Sequence, residues 1–215
     1  MRETTAVQIT PPNIKTAVFN IEGTAPLVVH RFDEKVKAAF RTKIEEGSKP
    51  RGKNKFEPKD TDEICEAAKY FGETKGKKWE GFNASGVRNA LISACRGAGF
   101  KMIVGKQSLF CEQDGWDIYT PLIPLVRIQG EAKKSELIGK TETGVAMLTI
   151  RPMYFPWSAS LRIRYDADMF KISDVTNLLA RAGMCVGICE GRPDSKNSCG
   201  MGWGTFQITN TKEQT

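Results

Sequence analysis

The sequence of 215 residues has very little histidine and no long apolar run. No segment approaches the roughly 18 to 20 consecutive apolar residues that a membrane-spanning helix needs. Residues 1–5 are polar, where a secretory signal would lead into an apolar stretch. We therefore expect a soluble cytoplasmic protein that does not bind membranes.

Classical enzyme and metal motifs are also missing. The chain has no Walker A loop, no G-x-S-x-G elbow and no H-E-x-x-H motif. Its six cysteines include no C-x-x-C pair, and the one cluster (Cys185, Cys189, Cys199) lies far from His30, the only histidine. We expect free thiols, no metal and no other cofactor, and a non-enzymatic protein is favoured.

Positive charge is present in excess and is concentrated in one segment. The formal net charge is +7. Residues 49–59 (KPRGKNKFEPK) hold five basic residues and one Glu, and they include two prolines and a glycine that exclude a regular helix. One interpretation is a solvated loop; the other is a basic loop that closes over a phosphate backbone through Lys49, Arg51, Lys53 and Lys55.

Hydrophobic periodicity predicts a mixed α and β chain. Strands are predicted at 15–22, 103–104, 116–122, 145–151, 157–165 and 204–209, with a polar loop at 133–143. Helices are predicted at 33–46, from Thr61 or Asp62, from Asn83 or Ser85 to Gly97, and from Ser173 to Gly183. Without insertions the order is strand, helix, strand, strand, helix, strand, which is typical of the α+β ferredoxin-like (RRM-like) βαββαβ core. We predict a single domain over 1–215 with insertions at about 25–82 and 105–143.

A glycine-rich loop precedes the last predicted strand. Five glycines bracket a polar stretch that carries Arg192 and Lys196, and they are Gly187, Gly191, Gly200, Gly202 and Gly204. Glycine lets the backbone approach a ligand closely and adopt positive φ. The loop is therefore a candidate ligand-binding segment.

The glycine-rich loop before the last predicted strand, together with the order of the elements, resembles the RAMP superfamily of CRISPR-associated proteins. The ferredoxin-like domains of that superfamily carry a glycine-rich loop in the same place. The backbone subunits that coat guide RNA resemble it best, since they carry one such domain with a large insertion after the first strand. The chain also looks like a group of uncharacterised phage-borne proteins, through residues 26–32 (PLVVHRF) and 182–193 (AGMCVGICEGRP). The resemblance implies a bacterial or phage-infected host.

The resemblance implies a protein that oligomerises along single-stranded RNA or DNA, and it offers other effector-complex subunits as further partners. The strand at 157–165 lacks the basic-Gly-aromatic signature of base-stacking RNA readers, so contacts to the nucleic-acid backbone are expected. Besides the basic segment, the candidate contact residues are His30, Arg31, Arg88, Lys101, Arg192 and Lys196.

Two alternatives remain open from the sequence. His30 has the side chain of a general base, so a metal-independent endoribonuclease is one of them. The other is a phage structural or interaction protein whose charge serves solubility.

Overall fold

A computed structural model of the chain describes residues 10–32, 38, 44, 60–140, 146–195 and 201–214. Within these ranges the protein combines helices with antiparallel sheets, which confirms the α+β class. The predicted helix over 33–46 falls almost wholly outside the described residues, and the basic segment 49–59 falls entirely outside them.

The described strands form three sheets. They are β1 (Ile14–Gly23), β2 (Leu27–Val28), β3 (Tyr70–Thr74), β4 (Lys77–Asn83), β5 (Leu109–Glu112), β6 (Gly115–Trp116), β7 (Pro124–Arg127), β8 (Ala132–Lys140), β9 (Ala146–Tyr154), β10 (Ser158–Asp166) and β11 (Phe206–Gln214). The described helices are α1 (Thr61–Ala67), α2 (Ala84–Gly97), α3 (Met102–Ser108) and α4 (Ile172–Arg181), and a π-helical turn (Ala182–Val186) continues α4.

The main sheet has the strand order β11-β1-β10-β5, and every neighbouring pair is antiparallel. Alternate residues of β1 and β10 point to one face and are buried there, including Phe19, Ile21, Leu161 and Ile163. This period of two is the pattern that predicted the strands at 15–22 and 157–165, and both predictions are confirmed.

Helices α2 and α4 pack their apolar faces into the same core as β1 and β10. The start of α2 follows from its cap, because the Asn83 side chain accepts a hydrogen bond from the Ser85 backbone N–H at 2.9 Å. Its buried residues Val87 and Leu91 lie four positions apart, and full burial of a Leu side chain contributes about 1.5–3 kcal/mol. The cap therefore sets where α2 begins, and burial of its apolar face holds it against the core.

Two smaller sheets, with orders β2-β9-β8 and β3-β4-β7-β6, stand beside the main sheet. A buried polar contact joins them, because the Tyr154 hydroxyl donates to the Glu80 carboxylate at 2.8 Å. The Lys69 ammonium lies 2.9 Å from the other Glu80 oxygen. Burial and the Glu80 carboxylate raise the pKa of Tyr154, so the phenol stays protonated.

Several sequence predictions about this part of the chain are wrong. The predicted strand at 145–151 is present as part of β9, but its predicted place in the core is wrong, because β9 lies in a smaller sheet and the short β5 occupies that place in the main sheet. Residues 103–104 lie in α3, and most of 116–122 is turn. The polar stretch 133–143 contains β8, which pairs with β9 along nine positions. Because several polar side chains of this hairpin face solvent, the strand lacks the apolar alternation that sequence patterns detect.

Helix ends were predicted approximately. For α4 the cap is not Ser173: the helix begins at Ile172, and the Asp174 carboxylate accepts the Lys171 backbone N–H at 3.0 Å. Gly183 does not end the helix either, because a π-helical turn carries the chain on to Gly187, whose φ is +70°. None of the helices that the structure describes is long and apolar enough to cross a membrane.

Candidate functional site

Backbone hydrogen bonds hold the glycine-rich loop against the segment that precedes His30. The Gly204 N–H donates to the Pro26 carbonyl at 2.8 Å, and the Glu190 N–H donates to the Val28 carbonyl at 3.0 Å. Within the loop, the Ile188 N–H donates to the Gly204 carbonyl at 3.0 Å. Residues 26–32 and 182–193 are thus in direct contact, although about 150 residues separate them in the sequence.

Two glycines of the loop are required by close packing. Gly204 has φ +66°, and a Cβ added there would lie 1.9 Å from the Ile188 carbonyl oxygen. At Gly191, with φ +75°, a Cβ would lie 2.3 Å from the Trp203 ring. At both positions a larger residue would collide with neighbouring protein atoms. Packing within the protein therefore explains these two glycines, and no bound ligand is needed to explain them.

A cleft of about 380 Å³ opens where this loop meets the start of α2. We call it the histidine cleft, because His30 lines it. The first turns of α2 contribute uncharged polar groups and an open Gly86, and the loop contributes charged groups. The polar lining residues used below are His30, Asn83, Ser85, Asn89, Glu190, Arg192 and Asp194.

His30 is held beside an ion pair. Its Nδ1 lies 3.5 Å from a Glu190 carboxylate oxygen, and the Arg151 Nε lies 2.9 Å from the same oxygen. Burial lowers the pKa of His30 and the Arg151 charge lowers it further, while Glu190 acts in the opposite direction. The net pKa is below 6.5, so His30 is neutral at pH 7.

The histidine cleft is not strongly cationic. Of its charged lining groups, Arg192 is positive, whereas Glu190 and Asp194 are negative. The Arg192 guanidinium donates to the Cys189 carbonyl at 3.0 Å. Asp194 accepts a short hydrogen bond from the Ser93 hydroxyl of α2. Neutral His30 adds no charge, so the lining suits an uncharged polar group better than an isolated phosphate.

Two of the predicted nucleic-acid contact residues, Arg31 and Arg88, make contacts within the protein. Arg31 is only 5% exposed, its Nε donates to the Lys69 carbonyl at 2.8 Å, and its guanidinium stacks 4.6 Å from the centre of the Tyr119 ring. Arg88 donates to the Leu109 carbonyl at 3.0 Å and lies 4.8 Å from the centre of the Phe110 ring. Neither guanidinium lines the histidine cleft.

The other predicted residues are dispersed. Lys101 is exposed at the start of α3 and does not line the histidine cleft, whereas Arg192 does. Gly187 and Gly202 have φ of +70° and +69° and lie in the described part of the loop. The remaining predicted residues lie outside the described residues, and they are Lys49, Arg51, Lys53, Lys55, Lys196 and Gly200.

The cysteines near the cleft do not form a metal site in the described ranges. Cys189 lines the cleft, and burial raises its pKa to about 12, which keeps the thiol protonated. Cys185 is exposed and Cys199 lies outside the described residues. Among the residues with described positions, no group of three or more His, Cys, Asp or Glu side chains could hold a metal ion.

Sequence reasoning missed most of the polar lining. Asn83 and Ser85 were predicted only as helix caps, and Glu190 was noted only within the segment 182–193. A signal for Glu190 exists, because it lies in the loop two residues before Arg192, but its ion pair with Arg151 joins residues 39 apart in sequence. No family model matches the chain, and no curated protein matches it significantly.

Proposed function

We propose that the protein binds single-stranded RNA or DNA through contacts to its backbone and assembles with further copies along the strand, without an enzymatic role. One observation carries the proposal: His30, the start of α2 and the glycine-rich loop converge on one cleft of about 380 Å³. This volume lies within the range of roughly 300–1,000 Å³ typical of small-ligand sites. We infer that the cleft receives the sugar and base of one nucleotide.

The order of the main-sheet elements supports a ferredoxin-like core. Along the chain they are β1, α2, β5, β10, α4 and β11. Since all neighbours are antiparallel, β1 and β5 run parallel on either side of β10, and β10 and β11 run parallel on either side of β1. Two such interleaved strand–helix–strand units are what the split βαβ pattern describes, and the resemblance to the RAMP superfamily rests on it.

The charge distribution supports an anionic partner. The basic segment 49–59 has a net charge of +4 within a total of +7. It directly precedes α1, which begins at Thr61. Because the histidine cleft supplies little positive charge, we assign neutralisation of most phosphates to this segment and to basic residues outside the cleft.

The β8–β9 hairpin supports the assembly part of the proposal. Ile138 and Leu148 lie opposite each other in its register, and they are 81% and 53% exposed. Exposed apolar side chains that are adjacent favour contact with another protein surface. We propose that a neighbouring copy on the strand covers this pair.

Binding is tested by fluorescence anisotropy with labelled 20-nucleotide RNA and DNA at several salt concentrations. The test variant replaces four basic residues by Gln, and they are Lys49, Arg51, Lys53 and Lys55. It should bind more weakly, and the slope of log K against log salt should become less steep by about 2.8 for four lost phosphate contacts. The control removes the same charge from four exposed lysines elsewhere, at Lys77, Lys106, Lys133 and Lys171. Absence of salt-dependent binding by the wild-type protein would instead favour a structural or interaction protein.

Assembly is tested by light scattering of the protein with RNA strands of increasing length. Ile138→Ser/Leu148→Ser should bind a short strand with unchanged affinity but form smaller assemblies on long strands. Assemblies of wild-type size in this variant would show that the hairpin pair does not join neighbouring copies.

A second candidate function is metal-independent cleavage of RNA, and one observation favours it. Glu190 lies beside Nδ1 of a neutral His30 that lines the cleft. A carboxylate beside Nδ1 favours the tautomer in which Nδ1 keeps its proton, and this leaves Nε2 as a proton acceptor, which is the state required of a general base for a 2′-hydroxyl.

This candidate makes a separate prediction. The wild-type protein would cleave single-stranded RNA in EDTA but leave DNA of the same sequence intact, and His30→Ala would abolish cleavage while binding persists. Intact RNA after prolonged incubation with the wild-type protein would exclude it.

A further inference from the structure

We propose that a second cleft, lined by Arg96 and Arg181, is the phosphate-binding subsite next to the histidine cleft. This arginine cleft has a volume of about 220 Å³, and Ser93, Val186 and Asp194 also line it. The inference rests on the proposed function, because it assigns the phosphate contacts of the same bound strand.

The two clefts share part of their lining. Val186 and Asp194 line both of them. The short hydrogen bond from Ser93 to Asp194 ties the loop to α2 at this point. A strand that leaves the histidine cleft across this contact enters the arginine cleft directly.

The need for such a subsite follows from the charges of the first cleft. A nucleotide placed there meets Arg192 and two carboxylates, and neutral His30 adds no charge. Arg31 is buried against Tyr119, so its guanidinium does not reach the cleft. A phosphate held in or beside the histidine cleft therefore requires cations from a neighbouring surface, and the arginine cleft is adjacent.

The two arginines come from different helices. Arg96 lies in the last turn of α2, and Arg181 is the last residue of α4. The Arg96 guanidinium contacts the Met102 sulfur at 3.5 Å, and within the described residues no ion pair joins either arginine to a carboxylate. Guanidinium groups bind phosphate oxygens in a bidentate manner, so a pair on one cleft suits a phosphodiester.

A purely structural role for these arginines makes a different prediction. Cations are favourable in the last turn of a helix, because they interact with the partial negative charge of its free carbonyls. If this were their only role, their removal would lower stability and leave nucleic-acid binding unchanged. Binding and thermal stability must therefore be measured on the same variants.

The experiment compares Arg96→Gln/Arg181→Gln with a control of equal charge loss, Arg127→Gln/Lys133→Gln, whose residues are exposed on the smaller sheets. The probe is a labelled 12-nucleotide RNA in a salt titration. We expect at least a tenfold loss of affinity for the arginine variant and a decrease of about 1.4 in the salt slope, which corresponds to two phosphate contacts. The control should retain affinity within about threefold.

The outcomes separate the two proposals. If the wild-type protein binds RNA with a salt-dependent affinity but both double variants lose affinity equally, the assignment of the arginine cleft as a phosphate subsite is refuted and the proposed function stands. If the arginine variant unfolds at a lower temperature but binds RNA with unchanged affinity, the two arginines stabilise the ends of their helices and do not bind phosphate. If the wild-type protein does not bind at all, both proposals fail.

Discussion

The histidine cleft and the arginine cleft share a wall but differ in the chemistry of their linings. The first is lined mainly by uncharged residues, together with a neutral histidine, one guanidinium and two carboxylates, whereas the second has two guanidinium groups and one carboxylate. They share Val186, which ends the π-helical turn, and Asp194 of the glycine-rich loop. The difference teaches that two neighbouring surfaces of a basic chain can differ in charge, and under the proposed function the sugar and base would occupy the first cleft and a phosphate the second.

The largest effect is expected from Gly204→Ala, which should disturb both clefts together. The added Cβ would collide with the Ile188 carbonyl at 1.9 Å, and Ala would have to adopt φ +66°. We expect a loss of about 3 kcal/mol in the free energy of unfolding, measured by urea denaturation.

Gly202→Ala is the matched control for that loss. Gly202 has φ +69°, but a Cβ there meets nothing within 4 Å, so only the backbone strain of about 1 kcal/mol applies. Equal destabilisation by the two substitutions would contradict the close approach at Gly204.

A medium effect, confined to the histidine cleft, is expected from Glu190→Gln. Burial and Arg151 lower the pKa of His30 while Glu190 raises it, so loss of Glu190 should lower that pKa further. His30 is the single histidine of the chain, so the chemical shift of its ring protons, followed by NMR as the pH changes, measures this pKa directly. Arg151→Gln is the opposite control and should raise the pKa; a shift in the same direction from both variants would contradict the assigned charges.

The same pKa predicts how stability depends on pH. The folded-state pKa of His30 is below its unfolded value of about 6.5, so the unfolded chain binds the proton more readily. The contribution of His30 to stability is present above pH 6.5 and is lost as the pH falls through the folded-state pKa. Urea denaturation from pH 8 to pH 5 should show this loss, and it should be reduced in His30→Gln.

The smallest effect is expected at the shared wall. Asp194→Asn removes a negative charge that lines both clefts, so RNA affinity should rise by about threefold, corresponding to somewhat less than 1 kcal/mol for an exposed charge. Ser93→Ala leaves the carboxylate charged and without its hydrogen bond, so affinity should fall slightly. Anisotropy titrations in low salt measure both, and the same direction of change in both would show that Asp194 does not face the bound strand.

Sequence patterns predicted the parts of the fold that depend on local periodicity. The alternation in β10 and the apolar spacing in α2 located both elements within one or two residues. The polar strand β8 was not predicted because it lacks an apolar alternation, and the short edge strand β5 was not predicted because it has four residues and its partner β10 lies far along the chain. For the site, Arg192 and the loop glycines were predicted from the loop itself.

The remaining site residues depend on tertiary structure. The burial of Arg31 follows from its stacking with Tyr119, which lies 88 positions later in the chain. Arg96 and Arg181 were read only as parts of helices, because nothing in the sequence indicates that two helix ends meet at one cleft. Such convergence is a property of packing, and neither residue spacing nor composition encodes it locally.

The hydrogen bonds from the glycine-rich loop to the segment before His30 have a consequence for hydrogen exchange. The amides of Glu190 and Gly204 donate to the backbone carbonyls of Val28 and Pro26, although they lie outside the regular strands. They should therefore exchange with solvent as slowly as amides of the main sheet, and only when the loop separates from Pro26 and Val28. Exchange of these two amides would then report the opening of both clefts as a single event.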